Sequence, residues 1–104
     1  MAEINELQDK IRDFAERRQW GKFHTPKNLA MAVSGEAGEL SAEFQWMTPE
    51  EASSVSDQQL EDIQMEIADV AIYLLRLCDV LAVDLKTAIE KKLSINEGRF
   101  PEVK

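Results

Sequence analysis

Four stretches of the chain repeat apolar residues at steps of three and four, the spacing of one face of an α-helix. The first stretch carries Ile4, Leu7, Ile11 and Phe14. The four predicted helices cover about residues 3–18, 26–46, 57–82 and 85–95. Gly98 and Pro101 are predicted to end the last of them. No stretch alternates apolar and polar residues as a half-buried strand does. The pattern predicts one all-α domain over residues 1–104, with a four-helix bundle-like protomer.

The helix starts are marked by capping residues. Thr25 precedes Pro26, and a capping hydroxyl before a proline is typical of a helix N-terminus. Thr48 and Ser56 are each followed three residues later by a glutamate or glutamine, the capping-box pattern. Thr48 therefore predicts a short additional helix before the serine-rich segment 53–56, and Ser56 predicts the start of the long helix. Asp84 is the predicted cap of the last helix.

The long helix is apolar on more than one side. Its main stripe is Ile63, Ile67, Val70, Leu74, Leu77 and Leu81. Further apolar residues cover most of the remaining circumference, so three neighbouring helices are too few to bury it. We expect self-association into a dimer or a dimer of dimers, that is, a homotetramer.

Four acids interrupt the apolar faces of the second and third long helices. Glu36 and Glu39 form one pair and Glu66 and Asp69 another, each pair one helical turn apart. At about 5 Å and an effective dielectric constant of about 20, two like charges repel by roughly 3 kcal/mol. A divalent cation removes this repulsion, and oxygen ligands suit Mg²⁺ or Mn²⁺. A solvated face is the ordinary explanation of one such pair, but two facing pairs predict a metal site between helices.

Other residues allow two interpretations each. Glu43 shares the side of Glu36 and is either an outer ligand or a rim charge. Gly35 and Gly38 each cost about 1 kcal/mol relative to alanine within a helix, which close approach of a helix or a ligand would offset. His24 either packs in its loop or meets an anion at the next helix N-terminus. Five further candidates are either ordinary core or solvated residues, or contacts to a base or a phosphate. They are Trp46, Tyr73, Lys92, Asn96 and Arg99.

The charge balance narrows the possible ligands. Twelve basic and 20 acidic residues give a net charge of −8, which argues against a nucleic-acid polymer as partner. An anionic ligand would need a metal ion between it and the protein. Cys78 is the single cysteine, so an internal disulfide is excluded and a reducing compartment is favoured. Without an apolar signal core or a run of 18 apolar residues, we expect a soluble cytoplasmic protein with no membrane partner.

Two enzyme classes are excluded by their motifs. The sequence has no G-x-x-x-x-G-K-[ST], so it is not a P-loop enzyme. Di-iron four-helix proteins need Glu-x-x-His pairs, which one loop histidine does not supply.

The two acidic motifs resemble a known family. Residues 35–40 read GEAGEL, and residues 66–70 read EIADV, followed by Tyr73 and Leu74. Together they resemble the E-x-x-E and E-x-x-D motifs of the MazG-like all-α nucleoside triphosphate pyrophosphohydrolases. The segments that look like the dCTP pyrophosphatase branch of this family are residues 23–29, 44–46, 83–85, 92–96 and 99–101.

The resemblance implies Mg²⁺-dependent hydrolysis of a (deoxy)nucleoside triphosphate to its monophosphate and pyrophosphate, with a preference for deoxynucleotides and for dCTP, in nucleotide pool sanitation. It implies metal-ligating and catalytic roles for Glu36, Glu39, Glu66 and Asp69, without identifying the general base. The residues that it places around the nucleotide are His24, Trp46, Tyr73 and Asn96, with Lys92 and Arg99 near the phosphates. Two alternatives stay open: phosphoribosyl-ATP or dUTP pyrophosphatase activity on the same scaffold, and a non-catalytic helical oligomerisation module.

Overall fold

The fold is all-helical. A computed structural model of the chain describes residues 2–103 and, for Ala2, the backbone alone. Its helices are α1 (Ala2–Arg17), α2 (Pro26–Ala42), α3 (Pro49–Ala52), α4 (Asp57–Leu81) and α5 (Leu85–Arg99). No strand forms within residues 2–103, which confirms the predicted fold class. The two ends of the predicted domain, Met1 and Lys104, lie outside the described residues.

The predicted caps start the helices. The Thr25 hydroxyl accepts the Asn28 amide, and complete capping boxes form at Thr48 and Ser56. Asp84 is the N-cap of α5, but its carboxylate accepts the Thr87 hydroxyl at 2.9 Å and makes no capping bond to the backbone. Starts are predictable because a cap is a local interaction between residues two or three apart.

Two predicted helix ends are wrong. Helix α2 stops at Ala42 rather than near Trp46, and residues 43–46 continue in tight turns, for example with the Phe44 amide bonded to the Ser41 carbonyl at 3.0 Å. Helix α5 continues through Gly98 to Arg99. Glycine lowers helix propensity by only about 1 kcal/mol, so it does not force an end.

Helix α4 is the centre of the protomer, with α2 packed along it and α1 on another side. The buried apolar side chains are Ala15, Leu29, Ile63 and Cys78. Helix α1 is also joined to α4 by polar contacts, since Arg12 donates two hydrogen bonds to Asp79 at 2.8 and 2.6 Å.

Helix α5 does not complete a four-helix bundle within the protomer. Its apolar residues Ile89 and Leu93 are 48% and 60% exposed. The packed unit of a single chain is therefore a three-helix arrangement of α1, α2 and α4. No helix within the described range is long and apolar enough to cross a membrane.

Candidate metal centre and adjoining cavity

Three of the four predicted acidic ligands converge where α2 packs on α4. One carboxylate oxygen from each of Glu36, Glu39 and Glu66 lies within 4.8 Å of the other two. The i, i+3 spacing places Glu36 and Glu39 on one side of α2, and the packing of the helices brings Glu66 of α4 opposite them. Two oxygens on opposite sides of one Mg²⁺ are about 4.2 Å apart, so small side-chain rotations would let this triad share a cation.

The triad contains carboxylate oxygens that have no partner. Oε2 of Glu36 and Oε2 of Glu66 are both buried and accept no hydrogen bond from the described residues. Burial, followed by the charge of Glu39, raises the pKa of Glu36, and the same two causes raise the pKa of Glu66. Unpaired buried carboxylate oxygens are costly, and a hard divalent cation is the group that this donor set fits.

Asp69 lies at the edge of the triad rather than within it. Its negative charge contributes to the raised pKa of both Glu36 and Glu66, but its oxygens do not share the 4.8 Å grouping. The negative charge of Glu43 also raises the pKa of Glu66. The structure thus places a fourth and a fifth carboxylate near the triad.

The raised pKa values predict an unusual pH dependence of stability when divalent metal is removed by EDTA. A carboxyl group whose folded pKa exceeds its ordinary 4.5 contributes stability that is complete below pH 4.5 and lost as pH rises through the folded pKa. We expect the melting temperature in EDTA to rise as pH falls from 7 toward 4.5. Thermal denaturation at fixed ionic strength measures this rise.

Glu66→Gln should flatten the rise, because it removes one titrating carboxyl group and weakens the repulsion on Glu36.

Below pH 3.8 the melting temperature should fall again. The ordinary pKa of an aspartate is 3.8, and the hydrogen bond from Arg12 is the main cause that holds the pKa of Asp79 below it. The stability that ionised Asp79 contributes is therefore lost as pH falls through its folded pKa. A wild-type melting temperature that falls steadily from pH 7 downward would contradict the prediction.

The loop between α1 and α2 brings Trp20 and His24 against α4. After α1 ends, Gln19 adopts a left-handed conformation (φ 55°), and the Trp20 amide bonds back to the Ala15 carbonyl at 3.0 Å. This Schellman-type turn folds Trp20 against Phe14, with ring centroids 5.6 Å apart. The His24 amide then bonds to the Trp20 carbonyl at 3.0 Å, and the two side-chain rings meet edge to face at 5.8 Å.

Two cavities lie beside His24. One, of about 240 Å³, is mainly apolar and runs between α1 and α4. Its lining residues are Ile11, Phe14, Ala15, Trp20, His24, Asp69, Ile72, Tyr73 and Arg76. The other, of about 290 Å³, is formed by Trp20, Phe23, His24, Asn28, Ala32 and Tyr73. Asp69 lines the first cavity, so this cavity adjoins the acidic triad.

Two residues of this site are absent from the sequence-based candidates. Trp20 belongs to both cavities, and Arg76 is buried and donates a hydrogen bond from Nε to Nδ1 of His24 at 3.1 Å. An arginine within an otherwise apolar helix stretch is the signal that indicates Arg76, since a buried guanidinium needs partners. Trp20 carries no such signal, because an aromatic residue after a helix is ordinarily a packing residue.

The other predicted nucleotide contacts do not reach these cavities within the protomer. Trp46 is 89% exposed in the turns after α2 and is not a core residue. Lys92 and Arg99 are exposed on α5, and Arg99 lies over the ring of Phe100. Asn96 is partly buried, and its Oδ1 has no partner in the described chain. His24 and Tyr73 are the two predicted nucleotide contacts that meet in one cavity.

Gly35 and Gly38 are not sites of close helix approach within the protomer. A Cβ atom at either position would meet no atom within 4 Å of the described structure. The surface beside the acidic triad is therefore open along this side of α2, which leaves room for a ligand or for another chain.

Comparisons with known proteins point to one family. A model of the MazG-like family matches residues 31–104. dCTP pyrophosphatase 1 of Homo sapiens is 42% identical over 91 residues, and that of Bos taurus is 40% identical over the same length. Each alignment covers 86% of this chain and 54% of the relative, so the chain spans about half the length of these curated relatives. The crystal structure of a pyrophosphatase from Archaeoglobus fulgidus DSM 4304 superimposes with a TM-score of 0.90 at 42% identity, covering 96% of this chain and 94% of that one.

Proposed function

The chain belongs to the MazG-like family, and we propose that it hydrolyses deoxynucleoside triphosphates to the monophosphate and pyrophosphate with Mg²⁺ as cofactor. The observation that carries the proposal is the acidic triad with its two unpartnered buried oxygens, adjoining an aromatic-lined cavity. An acidic protein has little means of its own to hold a polyanion, and a cation between the triad and the triphosphate answers that difficulty. The relation to dCTP pyrophosphatases supports dCTP as the first substrate to test.

The residues that would hold the cation are Glu36, Glu39 and Glu66, with the carboxylate of Asp69 close enough to act on two of them by its charge. When bound, Mg²⁺ would neutralise phosphate charge and lower the pKa of a coordinated water. The chain itself supplies the proton acceptor: as water attacks the α-phosphorus and the bond to the β-phosphate oxygen breaks, a neighbouring carboxylate takes the proton released. This carboxylate would be one that the cation does not fully engage, because a bound divalent cation lowers the basicity of its own ligands.

The nucleoside would occupy the cavities beside His24. Trp20 and Tyr73 offer aromatic faces against which a base can stack. Asp69 lies between this cavity and the triad, so a nucleotide with its base near Trp20 would extend its phosphates toward Glu36 and Glu66. Burial of the base in the cavity and contact of the phosphates with the cation would then hold the α-phosphorus between the cavity and the triad.

We infer further that the working unit is a dimer or a dimer of dimers. The protomer has an accessible surface of 8032 Å², whereas a folded monomer of its mass exposes about 5,900 Å². Its radius of gyration is 16.6 Å, against about 13 Å for a compact chain of this length. The excess surface of about 2,100 Å² is in the range that an obligate interface buries. Such an interface would also bring Trp46 and α5, with Lys92, Asn96 and Arg99, to the site of a neighbouring protomer.

Leu93→Glu is expected to weaken this self-association. Leu93 is 60% exposed on the apolar side of α5, and a charge there would be buried unpaired at an interface between protomers. We expect light scattering after size exclusion to shift from an oligomer toward the monomer mass. Ser94→Glu adds the same charge about 100° around α5 from Leu93, and should leave the oligomer intact. A wild-type protein that is monomeric at micromolar concentration, or equal effects of the two variants, would contradict the inference.

The activity is tested by incubating the purified chain with each deoxynucleoside triphosphate and Mg²⁺ and measuring pyrophosphate and monophosphate together. Equimolar release of both products is expected, with dCTP among the substrates. Phosphoribosyl-ATP and dUTP belong in the same panel, because related chemistry on this scaffold is the alternative. Release of orthophosphate instead, or no release with any nucleotide across metals and pH, would refute the proposal.

A further inference from the structure

The single histidine is held by a buried arginine on the neighbouring helix. Arg76 is 8% exposed, and its Nε–H donates to Nδ1 of His24 at 3.1 Å. A guanidinium carries donors only and stays charged in proteins. Nδ1 must therefore offer its lone pair, so the proton of the neutral imidazole lies on Nε2.

Arg76 is itself fixed by a second contact. Its Nη1 donates to Oδ2 of Asp79 at 3.1 Å, and Asp79 also accepts both hydrogen bonds from Arg12. Two guanidinium groups thus share one carboxylate, and the local charge is positive. A third cation at His24 would be repelled, and burial followed by the charge of Arg76 lowers the pKa of His24.

The position of Arg76 is not explained by stability alone. Burying a guanidinium costs desolvation that its ion pair with Asp79 repays only in part, and an apolar residue of similar size is often as stable there. The benefit that the structure does show is geometric: one side chain on α4 sets the orientation of an imidazole in the loop before α2.

The other nitrogen of His24 is the one left for a ligand. His24 lines both cavities, together with Trp20 and Tyr73, and Nδ1 is occupied by Arg76. Nε2–H is a hydrogen-bond donor, which suits a carbonyl oxygen or an unprotonated ring nitrogen of a nucleobase and disfavours an amino group at the same place.

We propose that Arg76 is a positioning residue that holds His24 in the Nε2–H tautomer, so that the imidazole donates a hydrogen bond to an acceptor atom of the nucleobase. The inference rests on the proposed function for the nature of the ligand. It makes Arg76 a determinant of base recognition although the guanidinium acts through His24. The tautomer itself is a property of the protein without nucleotide and does not depend on hydrolysis.

The tautomer is measured directly by ¹⁵N NMR, because the chain contains one histidine. The variants to compare are Arg76→Met and Arg76→Gln. The glutamine amide nitrogen is the same number of bonds from Cα as the arginine Nε, and methionine places a methyl group there. We expect the wild type and Arg76→Gln to show a protonated Nε2 and an unprotonated Nδ1. Arg76→Met should show the averaged shifts of two exchanging tautomers.

Arg12→Met is the control for the shared carboxylate. It removes the partner of Asp79 that does not touch His24, so the tautomer should stay as in the wild type. If Arg76 acted only by stabilising the fold through Asp79, then Arg12→Met and Arg76→Met would change the His24 spectrum alike. That result would overturn the proposal.

Base recognition is tested with dCMP, and in parallel with dAMP, dGMP and dTMP, added to the metal-free protein. At least one is expected to shift the Nε2–H resonance in the wild type. Arg76→Met should lose one hydrogen bond to that nucleotide, so its affinity for the nucleotide should fall about fivefold to tenfold. Arg76→Gln should recover the wild-type affinity. If Arg76→Met does not fold, the test rests on the other two proteins. The proposal is then supported if the wild type and Arg76→Gln both show Nε2–H and respond alike to the nucleotide.

The remaining outcomes count against it. An Nδ1–H tautomer in the wild type, an unchanged tautomer in Arg76→Met, or an Nε2–H resonance that no nucleotide shifts would overturn the proposal. Absence of pyrophosphate release alongside the expected spectra would refute the hydrolase activity while leaving the role of Arg76 standing.

Discussion

Glu66→Gln is expected to lower pyrophosphate release from a deoxynucleoside triphosphate by about two to three orders of magnitude. Glu66 faces Glu36 and Glu39 across the contact of α2 with α4, and its buried Oε2 has no protein partner. Glutamine keeps the shape of the side chain but removes the negative charge and half of the donor oxygens. The loss should be in kcat as well as in apparent Mg²⁺ affinity, because the same carboxylate would hold the cation and shape the charge around the α-phosphorus.

Glu61→Gln is the matched control, since Glu61 is an exposed residue of α4 that carries the same charge change outside the triad. It should retain wild-type activity. Mg²⁺ should raise the melting temperature of the wild type and of Glu61→Gln, and much less that of Glu66→Gln. If Mg²⁺ shifts none of the three and no nucleotide is hydrolysed, the acids only solubilise a helical oligomerisation module.

Asp79→Asn is expected to lower the free energy of unfolding by about 3 kcal/mol. Asp79 is the only acidic partner that Arg76 has within the described chain, and the guanidinium of Arg76 is almost fully buried. Asparagine leaves that charge buried without a counter-ion and also loses the two-point hydrogen bond from Arg12 that joins α1 to α4. Urea denaturation at one fixed protein concentration measures the change, provided that the m value stays constant.

Asp9→Asn is the control for this variant. Asp9 contacts the same Arg12 at 3.2 Å, but it is 69% exposed and adds little in high dielectric. Its unfolding curve should overlay that of the wild type. Equal stability of Asp79→Asn and the wild type would show that water reaches Arg76 and replaces the carboxylate.

The parts of the fold that the sequence predicts well are those with local causes. Helix starts at Thr25, Thr48 and Ser56 follow from a side chain that meets an amide within three residues. The end of α2 at Ala42 has no such cause, because residues 43–46 contain neither glycine nor proline and still leave the helix. The exposure of α5 likewise follows from the packing of whole helices, since Ile89 and Leu93 recur at helical spacing and are still exposed.

The candidate site divides in the same way. The acids are predictable because four carboxylates at i, i+3 spacing stand on apolar faces, and packing of those faces brings Glu36, Glu39 and Glu66 together. The contact of Arg76 with His24 joins residues 52 positions apart, and no local pattern encodes it. In the proposed oligomer, the position of Trp46 relative to the site would depend on contacts between chains, which no local sequence pattern encodes.

The small interior of the protomer has a consequence for handling the protein. With four apolar side chains buried among the described residues, one chain has little folding free energy of its own to set against its conformational entropy. If the proposed oligomer forms, resistance to heat and to proteases will be governed by mass action and will rise with protein concentration. Dilution would then act as a denaturing condition for the proposed oligomer, and a specific activity would need to be quoted with the protein concentration.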